Sequence, residues 1–105
     1  MVDEQTIARA VDVLRCAARP QRIILFGSYA RGRPTDQSDV DFLVVEDDVP
    51  DVAGEMVRLR RLLSPMRIPV DVLVVSREQF DEWSDTPGNV LHEAAAEGKV
   101  IYEAA

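Results

Sequence analysis

The chain has 105 residues, of which 47% are hydrophobic and 30% are charged, and its formal net charge at pH 7 is −7. This length has room for one domain, and the composition excludes a disordered chain, so we expect a single domain over residues 1–105. The acidic balance argues against a protein that holds long DNA or RNA, because that affinity comes mainly from Lys and Arg side chains.

The apolar runs, the N-terminal residues and the cysteine content indicate where the protein is located. The apolar runs are short compared with the ~20 residues that span a bilayer, so no membrane association is expected. The first ten residues, "MVDEQTIARA", are acidic and amphipathic, which is not the pattern of a signal peptide. The single cysteine, Cys16, excludes an internal disulfide. Together these features favour a cytoplasmic protein.

Helices and strands alternate along the chain. The first predicted elements are a helix over 4–18 with Asp3 as N-cap, a strand over 22–26, about one helical turn after Gly27-Ser28 and a strand over 38–46. A helix beginning near Pro50 and a strand over 68–76 follow. The last predicted elements are a short helix opened by a capping box at Ser76, a helix opened by Thr86-Pro87 and capped by Gly98, and a final strand or extended tail in "KVIYE". Strands separated by helices predict an α/β (α+β) domain, with a small sheet flanked by helices.

Three carboxylates interrupt strands that otherwise read as buried. Asp39 and Asp41 are two residues apart, so in a strand both side chains point to the same face. Asp71 interrupts the next strand in the same way, and the three groups converge if the two strands are neighbours. The alternative is that each carboxylate lies at an exposed strand start and faces water. Three together favour a metal site, and two Mg²⁺ ions held by carboxylates are the usual arrangement for displacement at phosphorus.

Gly27 and Ser28 supply a candidate phosphate site. A strand that turns into a helix leaves free backbone N–H groups at the helix start, and glycine lets the backbone approach a phosphate closely. Ser28 adds a hydroxyl, while Arg31 and Arg33 lie close enough along the chain to reach phosphate oxygens. Ser28 can also be a simple N-cap, and the two roles are compatible.

The order Gly27-Ser28, Asp39-x-Asp41 and then Asp71 resembles that of the polymerase-β-like nucleotidyltransferase superfamily. The longer form "GSYARG…SDVDFLVV…PVDVLVV", with the ending "LHEAAAEGKVIYE", is similar to its smallest branch, the minimal nucleotidyltransferases (MNT). The resemblance is strongest over residues 23–75, and the ending extends it across nearly the whole chain.

This resemblance implies a polymerase-β-like palm fold with a small mixed sheet, and transfer of a nucleoside monophosphate from a nucleoside triphosphate to an acceptor. It implies that Gly27 and Ser28 hold the triphosphate and that Arg31 contacts phosphate. By the same resemblance the metal ligands, for two Mg²⁺ ions, are Asp39, Asp41 and Asp71. Asp71 would also orient or deprotonate the acceptor hydroxyl.

Three functions follow from the resemblance. The MNT branch implies a separate, small helical partner of the HEPN family, a toxin, and our first hypothesis is an antitoxin that transfers AMP from ATP to a hydroxyl on that partner. The second is a binding module that neutralises the toxin by complex formation alone. It is disfavoured because pure binding needs none of the intact site residues. The third is transfer to a small molecule, which would need a homo-oligomer to complete the site, because little chain follows Asp71.

Several other side chains have less specific roles. Phe80 and Trp83 can face either the core or a partner, and the sequence leaves this open. We expect His92 to be a surface or interface residue. The sulphur-containing side chains of Cys16 and Met56 are expected to pack in the core. The arginines of the helix near Pro50 are expected to form a solvated face with ion pairs, and a role against an acidic partner is the alternative; they are Arg58, Arg60 and Arg61.

Overall fold

A computed structural model describes residues 1–104 and contains four strands and four α-helices. In chain order they are α1 (Glu4–Ala18), β1 (Arg22–Phe26), β2 (Val40–Glu46), α2 (Val52–Leu63), β3 (Val70–Ser76), α3 (Arg77–Trp83), α4 (Val90–Glu97) and β4 (Lys99–Glu103), with a 3₁₀ turn over Ser64–Met66 after α2. The predicted α+β class and the sequence of elements are confirmed. No helix within residues 1–104 is both long enough and apolar enough to cross a membrane.

The sheet is mixed, with the strand order β3-β2-β1-β4. β1 pairs antiparallel with both β2 and β4, whereas β2 pairs parallel with β3 through the crossover that α2 forms. Parallel neighbours need such a crossover, and a helix is its usual form. β3 is therefore one edge of the sheet and β4 is the other.

Helices cover both faces of the sheet. On one face α1 and α2 bury a stripe of side chains against alternate residues of the strands, namely Ala10, Leu14, Leu59 and Leu63. On the opposite face α3 and α4 contribute Phe80 and Ala94 to a second, smaller cluster with Ile24, Phe26, Leu43 and Val45. Burying a large apolar side chain such as Phe42 stabilises the fold by about 1.5–3 kcal/mol, so this two-sided burial holds the strand ends in fixed positions.

Helix caps follow the predicted chemistry. The Asp3 carboxylate accepts a hydrogen bond from the Thr6 N–H at 2.8 Å and so caps α1. The Ser76 hydroxyl accepts from the Gln79 N–H at 3.1 Å at the start of α3, and Gly98 follows the end of α4.

Two predicted strand starts are two residues early. Ser38 closes a turn with Thr35, its N–H donating to the Thr35 carbonyl at 3.0 Å, so β2 begins only at Val40. Pro69 has no N–H with which to extend the sheet, and β3 begins at Val70.

The predicted helical turn after Gly27-Ser28 is a single turn. Residues 27–32 form hydrogen-bonded turns in which the Arg31 N–H donates to the Gly27 carbonyl, four residues earlier, at 3.1 Å, and the left-handed Gly32 (φ 72°) follows. The predicted start of the last helix is wrong. α4 starts at Val90 rather than at Thr86-Pro87, since Gly88 (φ 93°) is left-handed and a right-handed helix does not continue through such a residue.

The two sulphur-containing side chains differ. Met56 packs against the core as expected, but the prediction for Cys16 is wrong, because its side chain is exposed on α1. Cys16 lies outside the helical stripe that carries Ala10, Leu14 and Ala17.

Candidate active site

Two of the three strand carboxylates are direct neighbours in the sheet. In the parallel register of β2 and β3, Asp41 stands opposite Asp71. Both alternate with core residues of the α1/α2 face, so their side chains lie on the α3/α4 face. Asp39 precedes β2 in the loop, two residues before Asp41. The structure thus brings the three predicted carboxylates to one end of β2 and β3.

The electrostatics of Asp41 reflect this clustering. The pKa of Asp41 is raised to about 6, mainly by burial and then by the negative charges of Asp71, Asp39 and Glu93, while Arg31 opposes them. Like charges that share a partly buried site resist ionisation. A bound cation would relieve that repulsion.

Gly27 lies directly against Asp41. Phe26 pairs with Asp41 in the antiparallel register, and Gly27 follows with its left-handed backbone. A Cβ at Gly27 would overlap Oδ2 of Asp41, so glycine is required here by both the backbone conformation and the space. The turn that carries Ser28 therefore approaches the carboxylates closely, as the proposed phosphate site needs.

The turn itself holds Ser28 and Arg31 through backbone hydrogen bonds. The Arg31 N–H donates to the Gly27 carbonyl at 3.1 Å, and the Arg33 N–H donates to the Ser28 carbonyl at 3.0 Å. Gly27, Ser28 and Arg31 thus belong to one compact loop beside the carboxylates. Arg33 is exposed in the same loop.

Arg31 is held by helix α4. Its Nη1 donates to Oε1 of Glu93 at 3.2 Å and to Oε2 of Glu97 at 3.4 Å. The expected role of Arg31 in phosphate binding requires it to exchange these carboxylates for phosphate oxygens. The sequence gives no sign of this pairing, because it depends on how α4 docks.

Arg60 is a site residue that the sequence analysis missed. It was expected on a solvated helix face, but its Nη2 donates to Oδ1 of Asp71 at 2.5 Å and to the Val72 carbonyl at 3.1 Å. Of the other two arginines, Arg58 is exposed and pairs with Glu55 as expected, and Arg61 is exposed. The helical pattern held a signal, since residue 60 directly follows the buried Leu59 and borders the buried stripe of α2.

The donor set fits a hard divalent cation. Carboxylate oxygens are the ligands that Mg²⁺ takes in proteins, and Asp39, Asp41 and Asp71 supply them. Within residues 1–104 no three acidic, histidine or cysteine side chains already surround one point as a formed metal site. Asp71 uses only Oδ1 in its contact with Arg60, whereas Asp39 lies in the loop before β2, so rotation of the Asp39 side chain would accompany metal binding.

The remaining candidate side chains have structural positions. Nδ1 of His92 lies 2.9 Å from the Ser84 carbonyl, which ties the start of α4 to the end of α3. Phe80 is buried in the core, whereas Trp83 is about half exposed on the same helix. This resolves the choice for Phe80 in favour of the core.

Comparison with known proteins identifies the family of the chain. Residues 7–93 match the model of the nucleotidyltransferase domain family. The chain is 36% identical over 107 aligned residues to the "Putative protein adenylyltransferase MJ0604" of Methanocaldococcus jannaschii, covering 97% of this chain and all of that protein.

Solved structures share the fold. A toxin-antitoxin structure with AMP-PNP superposes with a TM-score of 0.67 at 25% identity, covering 98% of this chain and 75% of that one. A tri-AMPylated Shewanella oneidensis HEPN toxin in complex with MNT antitoxin gives a TM-score of 0.63 at 22% identity, covering 96% and 72%. The resemblance found in the sequence is thereby confirmed, and the chain belongs to the nucleotidyltransferase domain family.

Proposed function

We propose that this protein is a Mg²⁺-dependent adenylyltransferase that moves AMP from ATP to a hydroxyl group of a partner protein, and that the partner is a HEPN-family toxin. The observation that carries the proposal is the pairing of Asp41 with Asp71 across β2 and β3, directly beside the Gly27 turn. This places a carboxylate cluster next to a loop suited to phosphate, which is what transfer of a nucleotide requires.

The comparisons support the choice of donor and acceptor. The relative that matches over the whole chain carries the name of a protein adenylyltransferase. One of the similar folds is a toxin-antitoxin structure with AMP-PNP, and another is an MNT antitoxin with an AMPylated HEPN toxin. These relatives favour ATP as the nucleotide and a protein as the acceptor.

The reaction exchanges one bond for another at the α-phosphorus of ATP. The acceptor oxygen forms a bond to that phosphorus, the bond from it to the bridging oxygen of the β-phosphate breaks, and pyrophosphate leaves. The hydroxyl proton passes to Asp71, which lies at the start of β3. Catalysis by this chain is then positioning and charge compensation rather than covalent chemistry.

The loop at Gly27 and the carboxylate cluster have different roles. Gly27 and Ser28 hold the triphosphate through their loop, and Arg31 compensates phosphate charge once it leaves Glu93. Asp39, Asp41 and Asp71 would hold Mg²⁺, which when bound polarises the phosphate oxygens and neutralises the charge that develops on them.

Transfer of label from α-labelled ATP tests the proposal. The wild type, with Mg²⁺ and a HEPN-family protein of the same organism, should label that protein, while Asp39→Asn and Asp41→Asn should not. Asp12→Asn, on exposed α1 surface away from the site, is the matched control and should label normally. A wild type that binds and neutralises the partner without labelling it would instead establish the binding module.

A further inference from the structure

Arg60 crosses from one face of the sheet to the other. Its helix, α2, packs on the α1/α2 face through Leu59 and Leu63, whereas the Asp71 side chain lies on the opposite face. The crossing is geometrically open because β3 is the edge strand, so no further strand lies between α2 and the carboxylate. Arg60 therefore reaches Asp71 around the rim of the sheet.

The guanidinium is anchored at two points. Nη2 donates to Oδ1 of Asp71 at 2.5 Å and also to the backbone carbonyl of Val72, the next residue of β3, at 3.1 Å. A hydrogen bond to a strand carbonyl fixes the guanidinium relative to the strand that carries Asp71. This differs from an ordinary surface ion pair, in which two flexible side chains meet in solvent and little is fixed.

Part of the Arg60 side chain is also fixed by burial. Nε of Arg60 is buried and has no hydrogen-bond partner within the described residues, so part of the side chain is held under the surface. The side chains of Arg60 and Asp71 are 41% and 44% exposed, so the pair lies at the mouth of the site and not inside the core. Only Oδ1 of Asp71 is used by Arg60, which leaves Oδ2 for another ligand.

We propose that Arg60 is a positioning residue for the nucleotidyltransferase reaction: it holds Asp71 through Oδ1 and presents Oδ2 to the metal and the acceptor hydroxyl. The inference rests on the proposed function, because it assigns Arg60 a role through Asp71. Without Arg60, the Asp71 side chain would be free to rotate away from the like charges of Asp41 and Asp39. Displacement of a reacting group by about 1 Å costs on the order of 10²-fold in rate.

Substitution of Arg60 tests this role through kinetics. Arg60→Met keeps the aliphatic stem and removes both hydrogen bonds; we expect kcat to fall about 10–100-fold, with KM for ATP changed less than about threefold. Arg60→Lys keeps the charge, but its ammonium group sits on a shorter side chain and reaches both acceptors less well, so it should restore activity only in part. Arg61→Met, on the exposed neighbour in the same helix, is the matched control and should keep the wild-type kcat.

Metal affinity gives a readout that does not depend on turnover. Mn²⁺ binding, measured by electron paramagnetic resonance with a non-hydrolysable ATP analogue, should weaken about 10–100-fold in Arg60→Met, as expected when a residue that orients a metal ligand is removed. Unchanged Mn²⁺ affinity and kcat together with a lower melting temperature would show that Arg60 only caps the edge of β3, and would overturn the proposal.

Two further outcomes distinguish failure of the positioning role of Arg60 from failure of the proposed function. Tighter Mn²⁺ binding by Arg60→Met would show that Arg60 competes with the metal for Asp71 and would also overturn the positioning role. A wild type that transfers no AMP under any condition would refute the proposed function itself, whereas an active wild type matched by an equally active Arg60→Met refutes the inference alone.

Discussion

Replacement of Gly27 by alanine should lower both the stability of the fold and the activity, and a matched variant at Gly32 should separate the two effects. Gly27 has a left-handed backbone, and an L-residue there costs about 1–2 kcal/mol. The added Cβ would also overlap Oδ2 of Asp41, which can escape only by leaving its rotamer at a further cost of about 0.5–1.5 kcal/mol. We therefore expect these two contributions to destabilise the fold by about 1.5–3.5 kcal/mol in total.

Gly32→Ala is the matched control for this experiment. Gly32 has nearly the same φ, 72° against 75°, but within residues 1–104 no atom lies within 4 Å of the position that its Cβ would take. It should therefore lose only the backbone contribution of about 1–2 kcal/mol and retain activity. Gly27→Ala, in contrast, displaces a carboxylate of the site and should lose on the order of 10²-fold in kcat.

The assays are urea unfolding for stability and transfer of label from α-labelled ATP for activity, both on the folded variants at one temperature. A wild-type kcat in Gly27→Ala would refute the reasoning, because it would show that the contact between Gly27 and Asp41 has no consequence for the reaction. Equal losses of kcat in the two alanine variants would refute it too, since backbone strain alone would then explain the effect.

Three further predictions concern other parts of the molecule. Burial, with the nearby Glu55 carboxylate, raises the pKa of Glu46 from its ordinary 4.5 to about 8. The stability that the protonated Glu46 contributes is therefore complete below about pH 4.5 and is lost as pH rises through about 8. Glu46→Gln should make the fall in unfolding free energy over this range shallower, and an unchanged slope would contradict the raised pKa. Leu59→Ala, at a fully buried position of α2, should cost about 2–5 kcal/mol in urea unfolding, whereas Leu62→Ala on the exposed side should cost less than about 0.5 kcal/mol. Glu97→Gln removes one partner of Arg31 and should lower KM for ATP by up to about fivefold, the worth of a surface ion pair, and an unchanged or higher KM would argue against phosphate binding by Arg31.

Local chemistry explains why most of the fold was predictable. The caps at Asp3 and Ser76 and the apolar stripe of α1 act within a few residues, so the sequence alone locates them. The start of α4 was mispredicted because backbone conformation decided it. Gly88 is left-handed, and nothing in a single sequence distinguishes it from a glycine in an ordinary turn.

The predictions for the candidate site also divide into those that a local pattern supports and those that depend on tertiary packing. Alternation along a strand predicts that Asp39 and Asp41 share a face, and the approach of Asp71 requires only that β2 and β3 be neighbours, which the crossover helix favours. The partners of Arg31 and Arg60 could not be predicted, because they depend on the docking of α4 and on β3 being the edge of the sheet.

The mass of the partner protein shows directly whether AMP is transferred to it. A HEPN-family protein should be incubated with ATP, Mg²⁺ and either the wild type or Asp41→Asn, and then measured by intact-mass and peptide mass spectrometry. With the wild type we expect a gain of one or more AMP groups, attached to a hydroxyl-bearing side chain, and with Asp41→Asn no gain. An unmodified partner with the wild type, or equal modification with Asp41→Asn, would contradict this expectation.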